Sequence, residues 1–213
     1  IREWRYIIDR AIEGLHGNTS FGSSHKDASE RGIKGNYGLT LTGSGPASWF
    51  HNGDKETGIA DVVGLVWKAV SGLRLKNGVL EYMKDNDAAA PDADLSADSK
   101  EFLQIMIDGL PVRIGSDGDG LKITTDEVSE YDYDERRNVE VELSEVPEML
   151  KALGIITEGM KKSREWLAAD PGLEECVCYV GASYYGTSNS GPSALSLNNV
   201  RSYVYTRIGF LSA

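Results

Sequence analysis

Apolar residues recur at three- and four-residue intervals at Trp4, Ile7, Ile8, Ala11, Ile12 and Leu15, which predicts an amphipathic helix over Glu3 to Leu15 ending near His16-Gly17-Asn18. From Gly17 to Gly58 no period is sustained, and Gly, Ser, Thr and Asn predominate, so this stretch reads as long ordered loops. Val66 to Leu75 runs into Lys76-Asn77-Gly78 and then Val79-Leu80-Glu81-Tyr82-Met83. Here Asn-Gly supplies the positive φ angles of a hairpin turn. Asp85 to Asp98 is an acidic, Ala-rich loop, and Ser99 to Ile107, with Phe102, Leu103, Ile105 and Met106, resembles a short helix. Val112-Arg113-Ile114 and Leu121-Lys122-Ile123 flank Gly115 to Gly120 as a second hairpin. A helix is predicted from Ser144 and Pro147 through Met149, Leu150 and Leu153 to Gly154. Cys176 to Val180 and Tyr203 to Leu211 read as strands joined by a loop of Tyr, Ser and Gly. With no internal repeat and no linker-like shift in composition, the economical reading is one α+β domain over residues 1–213.

Charge sharpens this picture. The chain of 213 residues carries 33 acidic and 22 basic side chains, a formal charge of −11, which disfavours partners bound by phosphate neutralisation and so excludes general nucleic-acid binding. No stretch approaches the roughly 20 apolar residues that span a bilayer, and Ile1-Arg2-Glu3-Trp4-Arg5 carries no signal-peptide pattern. The expectation is a soluble chain cut from a longer one, without membrane insertion. The acidic residues are unevenly placed: residues 179–213 contain no Asp or Glu, and Arg201 and Arg207 are their only charges. The same segment lacks Lys, Gln, Met, His and Trp, yet holds Tyr179, Tyr184, Tyr185, Tyr203 and Tyr205, half of the ten tyrosines. Tyr offers large contact area at low entropic cost and Ser, Gly and Asn offer adaptable hydrogen bonds, a composition typical of antibody paratopes. A Tyr-rich surface hairpin has a similar composition, because strands favour Tyr and turns favour Gly and Ser.

Little else in the chain looks like reaction chemistry. Ser116-Asp117-Gly118-Asp119-Gly120 begins like a calcium loop, but Leu121 and Val128 stand where oxygen ligands are required, so a hairpin turn is the better reading. Asp85, Asn86, Asp87, Asp92, Asp94 and Asp98 read as a solvated acidic loop rather than a cation site. His16, His25 and His51 lack the spacing that lets two imidazoles share a metal. Cys176 and Cys178, alternate residues of one strand, are expected to point to one face as small buried hydrophobes. No cofactor and no metal are expected.

The order of the loop motifs is more informative. Gly17-Asn18-Thr19-Ser20-Phe21-Gly22-Ser23-Ser24-His25, then Leu41-Thr42-Gly43-Ser44-Gly45-Pro46-Ala47-Ser48-Trp49, then Gly58-Ile59-Ala60-Asp61-Val62-Val63-Gly64-Leu65-Val66-Trp67 resemble the formylglycine-generating-enzyme branch of the C-type lectin fold. That branch usually ends the third motif in Gly-Asn-Val-Trp-Glu-Trp; here Leu65 replaces the Asn, and Lys68-Ala69 the Glu-Trp. Gly191 to Ser202, followed by Ile208-Gly209-Phe210-Leu211-Ser212-Ala213, resembles the variable region of diversity-generating-retroelement target proteins, which commonly end Ile-Gly-Phe-Arg-Ser-Ala; Leu211 departs from that pattern. Met149-Leu150-Lys151-Ala152-Leu153-Gly154-Ile155 is similar to a helix of the gut-bacteriophage members. The resemblance runs from about residue 3 to the end of the chain.

It implies a loop-rich C-type lectin scaffold with a variable region at about 179–213. Such retroelements mutate adenines of Asn codons, which reaches Tyr, Ser, Thr, Gly, Arg, Val, Ala and Asn but not Glu, Lys, Gln, Met or Trp, all five of which are among the residue types missing from this tail. The implied function is ligand binding, as the receptor-binding protein of a bacteriophage tail tip located on the virion. The alternative is a bacterial or prophage adhesin on the extracellular surface. The implied partner is a host-cell surface protein or glycan, with assembly into a homo-oligomer left open. The ligand-binding residues implied are Ser183, Tyr184, Tyr185, Thr187, Asn189, Ser196, Tyr203, Tyr205, Thr206 and Arg207. Alternation along a strand would place Tyr203, Tyr205 and Arg207 on one side and Val204 and Thr206 on the other, unless the strand twists out or bulges. An oxidase ranks last and the chain is read as no enzyme: the namesake uses a cysteine pair near its C-terminus, and no cysteine follows Cys178. The related sulfoxide synthases need an iron-binding histidine set that three scattered histidines do not supply. Asp61, Gly64 and Trp67 are expected to be structural, as backbone acceptor, turn and core respectively.

Overall fold

The computed structural model describes residues 1–11, 33, 36, 41–51, 53–62, 64–116, 120–128, 134–136, 139–156, 162–163, 166–183 and 194–209. The architecture is α+β and dominated by strands. Two α-helices occur among the described residues, and neither is long and apolar enough to cross a membrane. The chain divides into two compact units built from interleaved segments: residues 1–5, 70–178 and 195–203 in the first, residues 6–69, 179–194 and 204–213 in the second.

Helix α1 spans Arg2–Ala11. Its Trp4 is only 5% exposed, as the apolar stripe predicts, while Tyr6 faces solvent. The continuation to Leu15 lies outside the described residues.

The first unit is organised on a long sheet that starts from a hairpin. Strands β1 (Trp67–Lys76) and β2 (Val79–Met83) pair antiparallel from Leu73↔Tyr82 to Lys76↔Val79. Between them Asn77 and Gly78 have φ of 49° and 76°, the left-handed pair that a two-residue turn matching strand twist requires. Leu73 and Leu75 are buried on one face of β1. On its other face Arg74 is buried opposite Glu81, and this pair sets the register chemically as well as sterically.

The segment 99–107 is not a helix. It forms β3 (Phe102–Gln104), antiparallel to β2, and then β4 (Met106–Ile107), which pairs with β5 (Leu110–Pro111). The spacing of Phe102, Leu103, Ile105 and Met106 mimics a helical stripe, but burial follows a period of two, with Ile105 and Ile107 inside and Gln104 and Met106 outside. Asp108-Gly109, with φ of 50° and 82°, is the turn that decides it.

Strands β6 (Arg113–Ser116) and β7 (Leu121–Thr124) form the second predicted hairpin. They are followed by β8 (Asp134–Arg136), β9 (Val139–Glu142), the helix α2 (Glu148–Ala152), β10 (Lys162–Ser163) and β11 (Leu167–Ala169). Leu150 is buried in α2, and Gly154, at φ 70°, closes the turn after it. β12 (Glu175–Val180) and β13 (Leu195–Asn199) complete the sheet, whose order is β10-β9-β7-β6-β2-β1-β12-β13-β11-β8. β13 falls where the sequence reads as loop; its Leu195-Ser196-Leu197 core pairs parallel with β11.

A buried charge cluster ties this sheet to its loops. The Arg74 guanidinium donates from Nε to Glu81 (2.7 Å) and from Nη1 to Glu175 (3.1 Å). It also donates to the carbonyls of Ala97 (3.1 Å) and Ser99 (3.1 Å), and its plane lies 4.0 Å from the centroid of the Phe102 ring. Glu175 in turn accepts two bonds from Arg201, from Nε at 2.9 Å and from Nη2 at 2.7 Å. Burial alone would raise the Glu175 pKa; the bonds and charges of Arg201 and Arg74 outweigh it and hold the carboxyl below its ordinary value. A group with a depressed folded pKa adds stability that is present above the unfolded value, near 4.5, and is lost as pH falls through the folded value.

Replacing Arg74 by Met leaves Glu81 and Glu175 without their shared cation in a buried setting. We predict a loss of about 3–5 kcal/mol, read from urea unfolding at neutral pH. A change under about 1 kcal/mol would show that the cluster is not what holds β1, β2 and β12 in place.

Candidate functional site

The second unit contains two of the loop motifs and part of the tail. Its apolar centre is Trp49, Phe50 and Leu65, with Ala60 and Val66 packed against them. Gly45 is required by this packing, because a Cβ there would lie 2.1 Å from the Trp49 ring. A short 3-10 turn, Ala47–Trp49, carries the indole inward.

Polar bonds then join the motifs to one another. Asp61 is fully buried, and its Oδ2 accepts the Gly43 N–H at 2.6 Å, linking the motif at 58–67 to the motif at 41–49. The Val62 N–H donates to the Trp49 carbonyl at 2.9 Å. His51 is also absorbed by the loop: its Nδ1 accepts the Ile59 N–H at 2.6 Å. Gly64, at φ 81°, makes the expected turn, and its N–H donates to the Gly181 carbonyl at 3.1 Å. Asp61 and Gly64 therefore have the structural roles the motif implies. Trp67 departs from expectation, since it is half-buried rather than core.

Lys68 stands where the related motif has Glu, and its side chain is buried. The ammonium donates to the Gly64 carbonyl. Burial pushes its pKa down to about 7, against the opposing pull of the Asp61 charge. Burial likewise raises the Asp61 pKa, opposed by the Gly43 N–H and by the charge of Lys68. Asp61 Oδ1 has no hydrogen-bond partner among the described residues, and the charges of Lys68 and Lys55 favour the ionised carboxylate against its burial.

The tail is fixed to this loop framework through its backbone. The Trp67 N–H donates to the Arg207 carbonyl at 2.7 Å. β14 (Ile208–Gly209) pairs parallel with β1 at Trp67↔Ile208 and Lys68↔Gly209. Ahead of it, the Ile208 N–H donates to the Tyr205 carbonyl at 3.1 Å and closes a tight turn. The expected strand from Tyr203 to Leu211 is thus confined, among the described residues, to Ile208 and Gly209. A second turn, from the Tyr203 N–H to the Val200 carbonyl, also takes the chain out of an extended course.

These turns overturn the expected two-sided alternation. Tyr203, Val204, Tyr205 and Thr206 are all exposed, Val204 at 90%, and Arg207 is half-buried with its guanidinium 4.7 Å from the centroid of the Tyr205 ring. Two of the ten residues singled out from the sequence are not at the surface. Ser183 is buried in the second unit, and Ser196 is buried in β13, where its hydroxyl donates to the Asn198 side-chain carbonyl. The strand that sequence reasoning missed carries Ser196 inward rather than to a rim. Tyr184, Tyr185, Thr187 and Asn189 lie outside the described residues. The two tail arginines differ sharply: Arg201 binds Glu175 in the first unit, whereas Arg207 belongs to the exposed turn of the second. Nothing in the local sequence separates them.

The two cysteines are buried in β12, as alternation on one strand predicts. Burial pushes both thiols up to about 12, with the Asp170 charge adding to the effect at Cys176. Such thiols are poor nucleophiles at neutral pH. No protein-family model matches the chain, and no curated protein is significantly similar to it.

The buried lysine makes stability depend on pH with a definite sign. Between about 7 and 10.5 the unfolded chain holds a proton on Lys68 that the folded chain has released. Stability should therefore rise with pH across this window, by up to about 1.4 kcal/mol per unit from this group, while below it the burial penalty is fully present. Lys68→Met should flatten that rise when unfolding midpoints at roughly pH 6 and pH 9 are compared. An unchanged slope would place the lysine in water.

Proposed function

We propose that this chain is a ligand-display protein: a C-type lectin scaffold of the formylglycine-generating-enzyme-like branch whose tail, at about 179–213, is diversified by a retroelement. In this reading it acts as the receptor-binding protein of a bacteriophage tail tip, is carried on the virion, and recognises a host-cell surface protein or glycan. It is a binding protein rather than an enzyme. The high thiol pKa values support that part, since the oxidase chemistry of the namesake needs reactive cysteines.

The observation that carries the proposal is how the exposed turn is held. Backbone N–H and C=O groups, which do not change when side chains change, bond Trp67 to Arg207 and Ile208 to Tyr205. Side chains at 204–206 project into solvent. A segment meant to vary in sequence without losing its shape needs both properties, and the residues found there are those that adenine-directed mutation can produce. The motifs at 41–49 and 58–67 support the scaffold part, because their mutual bonds lie in the unit that carries the turn.

The source locus tests this directly. We expect a second, near-identical copy of the last hundred or so bases beside a reverse-transcriptase gene, differing from the coding copy at positions that are adenine in the second copy. Absence of such a repeat overturns the retroelement reading. At the protein level, Tyr205→Ala should leave unfolding free energy within about 0.5 kcal/mol of the parent and weaken attachment to host cells by roughly 1–2 kcal/mol. Loss of folding in that variant would instead mark Tyr205 as structural.

A further inference from the structure

The segment 102–107 of the first unit has only one of its two backbone edges in use among the described residues. Ile105 marks the inner edge: its N–H donates to the Leu80 carbonyl at 3.1 Å and its carbonyl accepts the Val112 N–H at 2.7 Å. Both backbone groups of a strand residue leave on the same edge, so β2 and, past Ile105, β5 lie along one side of this run. The alternate residues Phe102, Gln104 and Met106 turn their N–H and C=O groups the other way, where β3 and β4 have no partner strand among the described residues. Gln104 is exposed, as are Leu103 and Met106, at 44% and 46%. Edge strands are commonly blunted by a charge or a proline; none occurs from Phe102 to Ile107, while Lys100 stands ahead of the run and Asp108 directly after it.

We propose that this open edge pairs with the same edge of a second copy of the chain, antiparallel about a two-fold axis at Gln104. Charge selects the occupant and the register. With the axis there, Lys100 of each copy falls opposite Asp108 of the other, and the uncharged residues between them are matched to one another. Outward backbone groups also meet outward groups: Gln104 exchanges both bonds with its own counterpart, and Phe102 pairs with Met106, an aromatic ring opposite a thioether. Moving the axis by one residue sets Lys100 against Met106, or Asp108 against Phe102, and leaves the charges unmatched. The chain's overall charge of −11 opposes contact between copies, so they meet best along an edge where each brings one cation and one anion in complementary order. The interface lies outside the tail and is independent of the display reading.

Sedimentation velocity of the full chain over a dilution series should show a monomer–dimer equilibrium. Gln104→Pro removes an outward N–H and leaves the bonds to β2 in place, so the variant should melt at the parent temperature and stay monomeric throughout. Lys100→Asp, which sets two acids opposite each other, should weaken the dimer roughly tenfold. Mild oxidation reads the register. Gln104→Cys should cross-link to its counterpart, because Cα atoms of a hydrogen-bonded antiparallel pair lie about 5.5 Å apart, within disulfide reach. Met106→Cys, which faces Phe102 of the other copy, should not, and the native Cys176 and Cys178 are buried away from the reaction. A parent that is monomeric at every concentration, a dimer that survives Gln104→Pro or Lys100→Asp unchanged, or cross-linking as fast at Met106→Cys as at Gln104→Cys would each overturn the proposal. If Gln104→Pro lowers the melting temperature, the two cysteine variants decide.

Discussion

A guanidinium taken out of water needs hydrogen-bond partners, and Arg74 finds them on several strands and on the acidic loop at once. Its neighbours are Glu81 across the hairpin, Glu175 on β12, the carbonyls of the acidic loop and the ring of Phe102. A buried pair of this kind gives little net stabilisation over a well-packed apolar alternative, but it punishes misregister severely. One residue of slip between β1 and β2 would turn Arg74 to the opposite face and leave two carboxylates stranded. The cluster therefore specifies the sheet more than it strengthens it, and through Glu175 that specification extends to Arg201 in the tail.

The second unit solves a different problem, which is to hold long irregular segments without a ladder of strands. Asp61 acts as a hub for backbone, accepting from Gly43 while the residue after it donates to Trp49. Lys68, buried in the same unit, favours the ionised form of that carboxylate against the opposing effect of burial. Leu65 and Lys68, two of the three residues that depart from the motif this segment resembles, both serve this arrangement: one joins the apolar centre with Trp49 and Phe50, and the other donates to the Gly64 carbonyl.

Local signals carried the parts of the fold that local physics decides. Asn77-Gly78 marked its hairpin, Gly154 its helix end, and the spacing of Cys176 and Cys178 their shared burial. At 99–107 a helical spacing of apolar residues competed with the turn chemistry of Asp108-Gly109, and the turn won. Arg74 gave no sign of burial, because one of its carboxylate partners lies 101 residues further along the chain and no pattern around it differs from a solvated strand residue. In the candidate site, the unusual composition of the tail was legible in the sequence, whereas its shape was not. The bonds that bend 200–208 are made by backbone, and backbone geometry of this kind leaves no mark on residue type.

The contrast between Arg201 and the turn that follows has a bearing on how such a chain can evolve. Arg201 shares its carboxylate with Arg74, so its effect on folding is coupled to theirs, and a change there would need a second change to compensate. Residues 204–206 sit at exposed positions on a turn closed by backbone hydrogen bonds. Changes at exposed positions such as these perturb stability less than changes at the buried cluster. A tail only a few tens of residues long thus contains both epistatic and nearly free sites. A mutational process that is blind to the difference would still yield mostly foldable offspring, provided its targets fall among the second kind.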